Sequence, residues 1–150
     1  MIQLARIVCP TDFSPTSSRA VDYAATLAAS FGAELVLLHV IPEMTYPMRS
    51  FGISASMEHI QEELHKKASE TLEQRAAEAK AAKPELNVRC ALRDGEPHDE
   101  TMACAKEESA DMIVMGTHGN TGITHALLGS TAEKVVRLAS CPVLTVRSTD

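Results

Sequence analysis

Apolar and polar positions follow two periods along the chain, and the two periods take turns. Short apolar runs at Ala5 to Cys9 (ARIVC), Leu35 to Val40 (LVLLHV), Leu86 to Leu92, Asp111 to Met115 and Pro142 to Arg147 predict five strands. LVLLHV is apolar almost throughout, the pattern of a parallel strand covered on both faces. Between the runs the spacing becomes helical. Ala20, Val21, Ala24, Leu27, Ala28 and Phe31 define the buried stripe of a first helix, and Met57, Ile60, Leu64, Ala68, Leu72, Ala76 and Ala79 that of a long second one. A short third helix runs from Pro97 to about Ser109, and Val135, Val136 and Ala139 mark the buried side of a fourth. Local punctuation agrees: Ser14 is an N-cap ahead of Pro15, Gly32 closes the first helix, Pro84 ends the second and Asp94-Gly95-Glu96-Pro97 is a turn. Residues 41–56, with two prolines and a glycine, form a connection long enough to expect a functional role.

Five strands alternating with four helices predict an α/β fold with a doubly wound parallel sheet, helices on both faces and right-handed crossovers. With 150 residues, the whole of 1–150 is expected to be one domain. Ligands of such sheets bind beyond the carboxyl ends of the strands, where the strand order reverses. Two strands leave the sheet through chemically suggestive residues, the first into Pro10-Thr11-Asp12 and the fourth into Gly116. Their adjacency requires the order 3-2-1-4-5. The order 2-1-3-4-5 would instead leave the glycine loop away from the crevice.

That loop carries the candidate chemistry. GTHGNTGITHALLGSTAEKV begins at Gly116 and spaces its glycines as Gly116, two residues, Gly119, nine residues, Gly129-Ser130. Gly116 and Gly119 offer backbone amides to an anion through tolerance of positive φ, and Gly129 and Ser130 open a helix whose first amides are unpaired. A polyphosphate cradle fits this arrangement. No lysine precedes Ser130, so it is not a Walker loop, and the spacing is not G-x-G-x-x-G. Ser130-Thr131-Ala132-Glu133 also matches a capping box, so Ser130 serves its own helix, a phosphate, or both.

Composition narrows the function classes. A net charge of -6 with two Tyr, three Phe and no Trp gives neither the basic surface nor the stacking platforms of a nucleic-acid binder. Cys9, Cys90, Cys104 and Cys141 form no C-x-x-C, three of them lie in apolar segments, and all are expected to be buried reduced thiols. No apolar run is long enough to span a membrane and no signal-peptide profile is present, so a cytoplasmic protein is expected. His39 lies in a strand and is expected to be a hydrogen-bonded core residue, His118 an exposed loop residue within reach of a phosphate. The histidines at 59, 65, 98 and 125 have no metal-binding spacing.

The chain resembles the universal stress protein family, specifically its ATP-binding branch. The resemblance covers VCPTDFSPTSSRAVDYA, GAELVLLHV, DGEP and ADMIVMGTHGNTG…LLGSTAEKVVRLASCPVLTVR, and thus essentially the full length. It implies a Rossmann-like domain that pairs as a homodimer and holds ATP between the first and fourth strands, acting as a stress-response regulator more than as a catalyst. By the same resemblance Asp12 meets the adenosine end beside Thr11 and Pro10, and Val40 offers backbone groups to adenine. Gly95 lines the ribose side. Gly116, Gly119, Gly129, Ser130 and Thr131 surround the phosphates, with Met115 beneath. Asn120 stands where many relatives carry arginine, which leaves the charge to amides, hydroxyls and Mg²⁺. The competing expectations are a slow ATPase or nucleotidyl-transferring enzyme, disfavoured by the absence of Lys or Arg near the cradle, and a dimeric interaction module without nucleotide. The apolar strand from Pro142 to Arg147 falls at a sheet edge, where a second copy would cover it.

Overall fold

The computed structural model describes residues 1–43, 55–118 and 128–149. β1 (Arg6–Pro10), α1 (Pro15–Phe31), β2 (Glu34–Ile41), α2 (Ala55–Ala82), β3 (Asn87–Asp94), α3 (Pro97–Glu107), β4 (Met112–Gly116), α4 (Ser130–Leu138) and β5 (Val143–Val146) follow one another in sequence. The strands form one parallel sheet in the order β3-β2-β1-β4-β5. This is the expected order. Strand boundaries shift by one or two residues, most at β3, which continues to Asp94 because its whole length pairs with β2.

Side chains alternate across the sheet and supply two cores. Ile7, Cys9, Leu35, Leu37, Val114 and Val146 face α1 and α2, against Ala20, Ala24, Ala28, Leu72 and Ala76. Val8, Val36, Leu38, Ile113 and Met115 face α3 and α4, against Cys104, Ala105, Ala132 and Val135. Each of the large residues contributes roughly 1.5–3 kcal/mol by leaving water. The alanines of α1 let its backbone approach the sheet closely. Ser14 caps α1 by accepting from Ser17 N–H at 3.2 Å, and Gly32, at φ 68°, closes it with its N–H on Ala28 O. All four cysteines are free; Cys9 and Cys104 are buried as expected, whereas Cys90 and Cys141 are only partly buried.

The long helix departs from expectation. Ala68, Leu72 and Ala76 are buried, but Ile60 and Leu64 remain 47 % and 45 % exposed. A helix of 28 residues is about 42 Å long, whereas the eight residues of β3 cover about 26 Å. The first turns of α2 therefore overhang the carboxyl end of the sheet. His65 marks the point of departure, with Nε2 2.8 Å from Asp94 Oδ1 at the last residue of β3.

The opposite end is tied by charge. Arg6, Glu34, Arg89 and Glu108 join β1, β2, β3 and the end of α3: Arg6 Nε lies 2.9 Å and Arg89 Nη2 3.0 Å from Glu34 Oε1, while Arg89 also pairs with Glu108. The Arg89 guanidinium bonded to Glu108 holds that carboxyl below its ordinary range, outweighing partial burial, and Arg6 and Arg93 add smaller attractions.

Candidate functional site

A cavity of about 410 Å³ opens at the carboxyl ends of the strands, at the reversal between β1 and β4. Pro10, Thr11 and Asp12 line it from β1, Val40 from β2, Met115, Gly116 and His118 from β4, and Gly129, Ser130 and Thr131 from α4. Gly95 is not among the lining residues. Its φ of 141° and its N–H on Ile41 O at 3.0 Å make it the pivot of the β3–α3 turn, where a Cβ would stand 3.0 Å from Glu100. Gly119, Asn120 and most of the long 41–56 connection lie outside the described residues.

The β1 wall is built by a chain of local bonds. Thr11 N–H donates to Leu38 O at 2.8 Å and Thr11 Oγ1 accepts from Phe13 N–H at 3.1 Å. Asp12 Oδ1 accepts from Ser14 N–H at 3.0 Å, turning the chain into α1. This turn forces Phe13 to φ 67°, a sparsely populated region for a bulky side chain. Phe13 stacks on His39 with ring centres 4.3 Å apart, and His39 Nδ1 lies 2.7 Å from Thr11 O. A carbonyl oxygen only accepts, so Nδ1 carries the proton. The hydrogen bond foreseen for His39 is present, yet the ring also lines the cavity and props the turn that carries Asp12.

Backbone direction makes Val40 a candidate ligand. Leu38 O points towards β1 and Ile41 O towards β3, where it accepts from Gly95 N–H. By alternation Val40 presents its N–H and C=O to the β1 side, beyond the Pro10–Leu38 pair that ends the register. Its side chain is core, only 8 % exposed.

The β4 and α4 wall corrects several expectations. Gly116 has no positive φ; a Cβ there would meet Thr16 Cγ2 at 3.0 Å and Ser17 N at 3.3 Å, so the residue is small because the start of α1 packs on it. Gly129, not Ser130, is the N-cap of α4, and no side chain caps the helix. Gly129 N–H donates to Thr117 O at 2.7 Å, and a Cβ on Gly129 would stand 3.1 Å from that oxygen. The glycine thus lets the end of β4 and the start of α4 touch. The first α-helical bond runs from Glu133 N–H to Gly129 O, so the amides of Ser130, Thr131 and Ala132 precede the ladder at the cavity wall. His118 is half-buried instead of exposed. Its Nδ1 is 2.9 Å from Thr117 Oγ1, and its Nε2 is buried without a hydrogen-bond partner among the described residues.

Further lining residues had no independent signal in the sequence. Ser17 and Thr117 are buried, and Thr101 donates its hydroxyl to Pro97 O at 2.6 Å; these residues shape the wall, as do Pro42, Pro97 and Ala132. Ser17 and Thr117 were the nearest to legible, one three residues after a cap and the other inside the glycine motif. The starts of α1, α3 and α4 all contribute to the cavity, and no Lys or Arg lines it among the described residues. Helix amides and dipoles are therefore its positive elements. That donor set and the unpaired His118 nitrogen suit a phosphate group. The described residues offer no cluster of three or more metal ligands, so a divalent cation would depend on phosphate oxygens for most of its coordination.

The architecture defines an α/β protein with a crevice at the carboxyl ends of β1 and β4, and the sequence comparison specifies the family. The universal stress protein family model matches residues 4–147; the chain belongs to that family. It is similar to universal stress protein MJ0577 of Methanocaldococcus jannaschii, 31 % identical over 156 residues, covering 97 % of this chain and 96 % of that one. The solved structure of MJ0577 superposes with a TM-score of 0.74 over 99 % of both chains. The universal stress protein UspA from Lactobacillus plantarum shares the fold, with a TM-score of 0.82, 24 % identity and coverage of 98 % of this chain and 100 % of that one. A universal stress protein solved in complex with cAMP is 29 % identical, with a TM-score of 0.65 and coverage of 97 % and 98 %.

Proposed function

We propose that this chain binds ATP, with Mg²⁺, across the crevice between β1 and β4 and acts as a nucleotide-responsive regulatory protein of the cytoplasm, working as a homodimer. The observation that carries the reading is the joining of two unlike walls in one cavity. Pro10, Val40, Pro42 and Met115 give an apolar half with backbone groups of Val40 available to a base edge, next to Asp12; Gly116, His118 and the open amides of α4 give a half suited to phosphate. The relative in complex with cAMP supports an adenine ligand. Mg²⁺ belongs to the proposal because the described lining supplies no cationic side chain against a triphosphate. Pairing of two copies is supported by the edge position of β5 and by the adjacent helix, where Leu138 is 61 % exposed and Val136, contrary to its expected place on the buried side, is 46 % exposed. Among the described residues no helix is long and apolar enough to cross a membrane.

Calorimetry with ATP, with and without Mg²⁺, tests the reading. The expected dissociation constant is on the order of micromolar, about 8 kcal/mol, tighter with the cation. Asp12→Ala should weaken ATP and adenosine by a similar factor and leave inorganic triphosphate nearly unaffected. Absence of heat at millimolar ATP would discard the nucleotide and leave an interaction module.

A further inference from the structure

We propose that His118 is the charge-reading residue of the phosphate half, so that nucleotide affinity is linked to proton uptake by its ring. The inference rests on the nucleotide reading above and specifies how that site is regulated. Two observations carry it. The Nε2 of His118 is buried and unpaired among the described residues, a state that normally calls for a partner. The same wall contains the free amides of α4 and, among the described residues, neither Lys nor Arg, so the His118 imidazole is the described side chain of that wall that can carry a positive charge.

Thr117 Oγ1 engages Nδ1 at 2.9 Å and restrains the ring beside the start of α4. A phosphate oxygen meeting Nε2–H supplies the missing partner and, being anionic, favours the doubly protonated ring. Asp12 and His39 belong to the β1 and β2 wall; Glu133 of α4 is paired with Arg137 at 3.1 Å; at the start of α3, His98 lies near Glu96 and Asp99. His39 commits Nδ1–H to Thr11 O on the opposite wall.

The linkage has a definite sign: binding raises the proton affinity of His118, so His118 strengthens ATP binding as the solution is acidified from about pH 8 to about pH 5.5. The terminal phosphate of ATP takes up a proton over the same range, equally for every protein variant. The readout is therefore the ratio of wild-type to His118→Gln affinity, measured with Mg²⁺ and ATP, with adenosine as the uncharged control. The ratio should rise from about two at the alkaline end to about tenfold at the acidic end, while the adenosine ratio stays near one. NMR titration of the wild-type protein supplies a second measurement that needs no variant: the His118 ring should titrate at higher pH with ATP bound than without. A constant affinity ratio, or a His118 titration unmoved by saturating ATP, overturns the proposal with the nucleotide reading intact. Failure of the wild type to bind ATP at any pH overturns that reading first and the proposal with it.

Discussion

At the scale of single residues, the start of α4 separates two roles that its sequence leaves merged. Gly129 occupies the cap position and Ser130 is the first helical residue, so the Ser130 hydroxyl is not holding the helix. Ser130→Ala should leave stability within about 0.5 kcal/mol of wild type and weaken ATP binding by about 1 kcal/mol, or roughly fivefold. Gly129→Val should do more. Its Cβ would press on Thr117 O, 3.1 Å away and backbone, so the two segments must part; about 1–3 kcal/mol of stability and measurable ATP binding should be lost together. Urea unfolding and calorimetry on both variants check the contrast. A Gly129→Val protein with wild-type affinity would place the phosphates elsewhere. The motif showed that glycine matters at 116 and 129, but the reason at Gly116, the approach of Thr16 and Ser17, involves residues a hundred positions away and is invisible locally.

At the scale of elements, the Arg6–Glu34–Arg89–Glu108 network fastens the amino ends of three neighbouring strands to the end of α3. Glu108 has its folded pKa lowered, chiefly by the bond from Arg89. A carboxyl of that kind adds stability that is complete above its unfolded pKa and disappears as pH falls through the folded value. Glu108→Gln should accordingly be less stable than wild type at pH 7 and converge with it in acid, once the pH has fallen through the folded pKa. Urea unfolding at neutral and at acid pH reads the gap, and a gap of equal size at the two would remove the carboxylate from the explanation. The thiols show the opposite influence of burial: Cys90 is pushed up to about 11, by desolvation first and Glu73 second, and Cys9 is raised further by complete burial. Both were legible as apolar-segment cysteines. The exposed apolar turns of α2 were not, because helical periodicity reports a stripe and not where the sheet beneath it ends.

At the scale of the whole molecule, β5 is the edge on which the proposed homodimer depends. Pro142 O accepts from Ile113 N–H and Val146 O from Thr117 N–H, so residues 142, 144 and 146 direct their backbone groups into the sheet, and 143 and 145 direct theirs outward. Val146 is also a core residue, 5 % exposed. Thr145 is thus the informative position: Thr145→Pro removes an outward N–H and should shift a dimer towards monomer with ATP binding retained, whereas Val146→Pro would break β5 from β4. Sedimentation at tens of micromolar, roughly the range of weak association, decides it. A wild-type monomer there sinks the dimer, and an unchanged Thr145→Pro dimer moves the interface off this edge.

The chain's own periodicities determined the elements, their parallel arrangement and, through the polar exits at Asp12 and Gly116, the strand order, because each of these follows from nearest-neighbour chemistry and a few connection rules. Most of the candidate site was nameable for the same reason: an aspartate after a strand and glycines before a helix are local signals. Tertiary structure alone decided the rest. It made Gly95 the pivot of the β3–α3 turn, brought His39 under the strained Phe13 turn, buried a His118 nitrogen that has no partner among the described residues and assigned inward or outward bonding along β5. These depend on which distant segment stands opposite a residue, and the one-dimensional pattern of apolar and polar positions does not encode that identity.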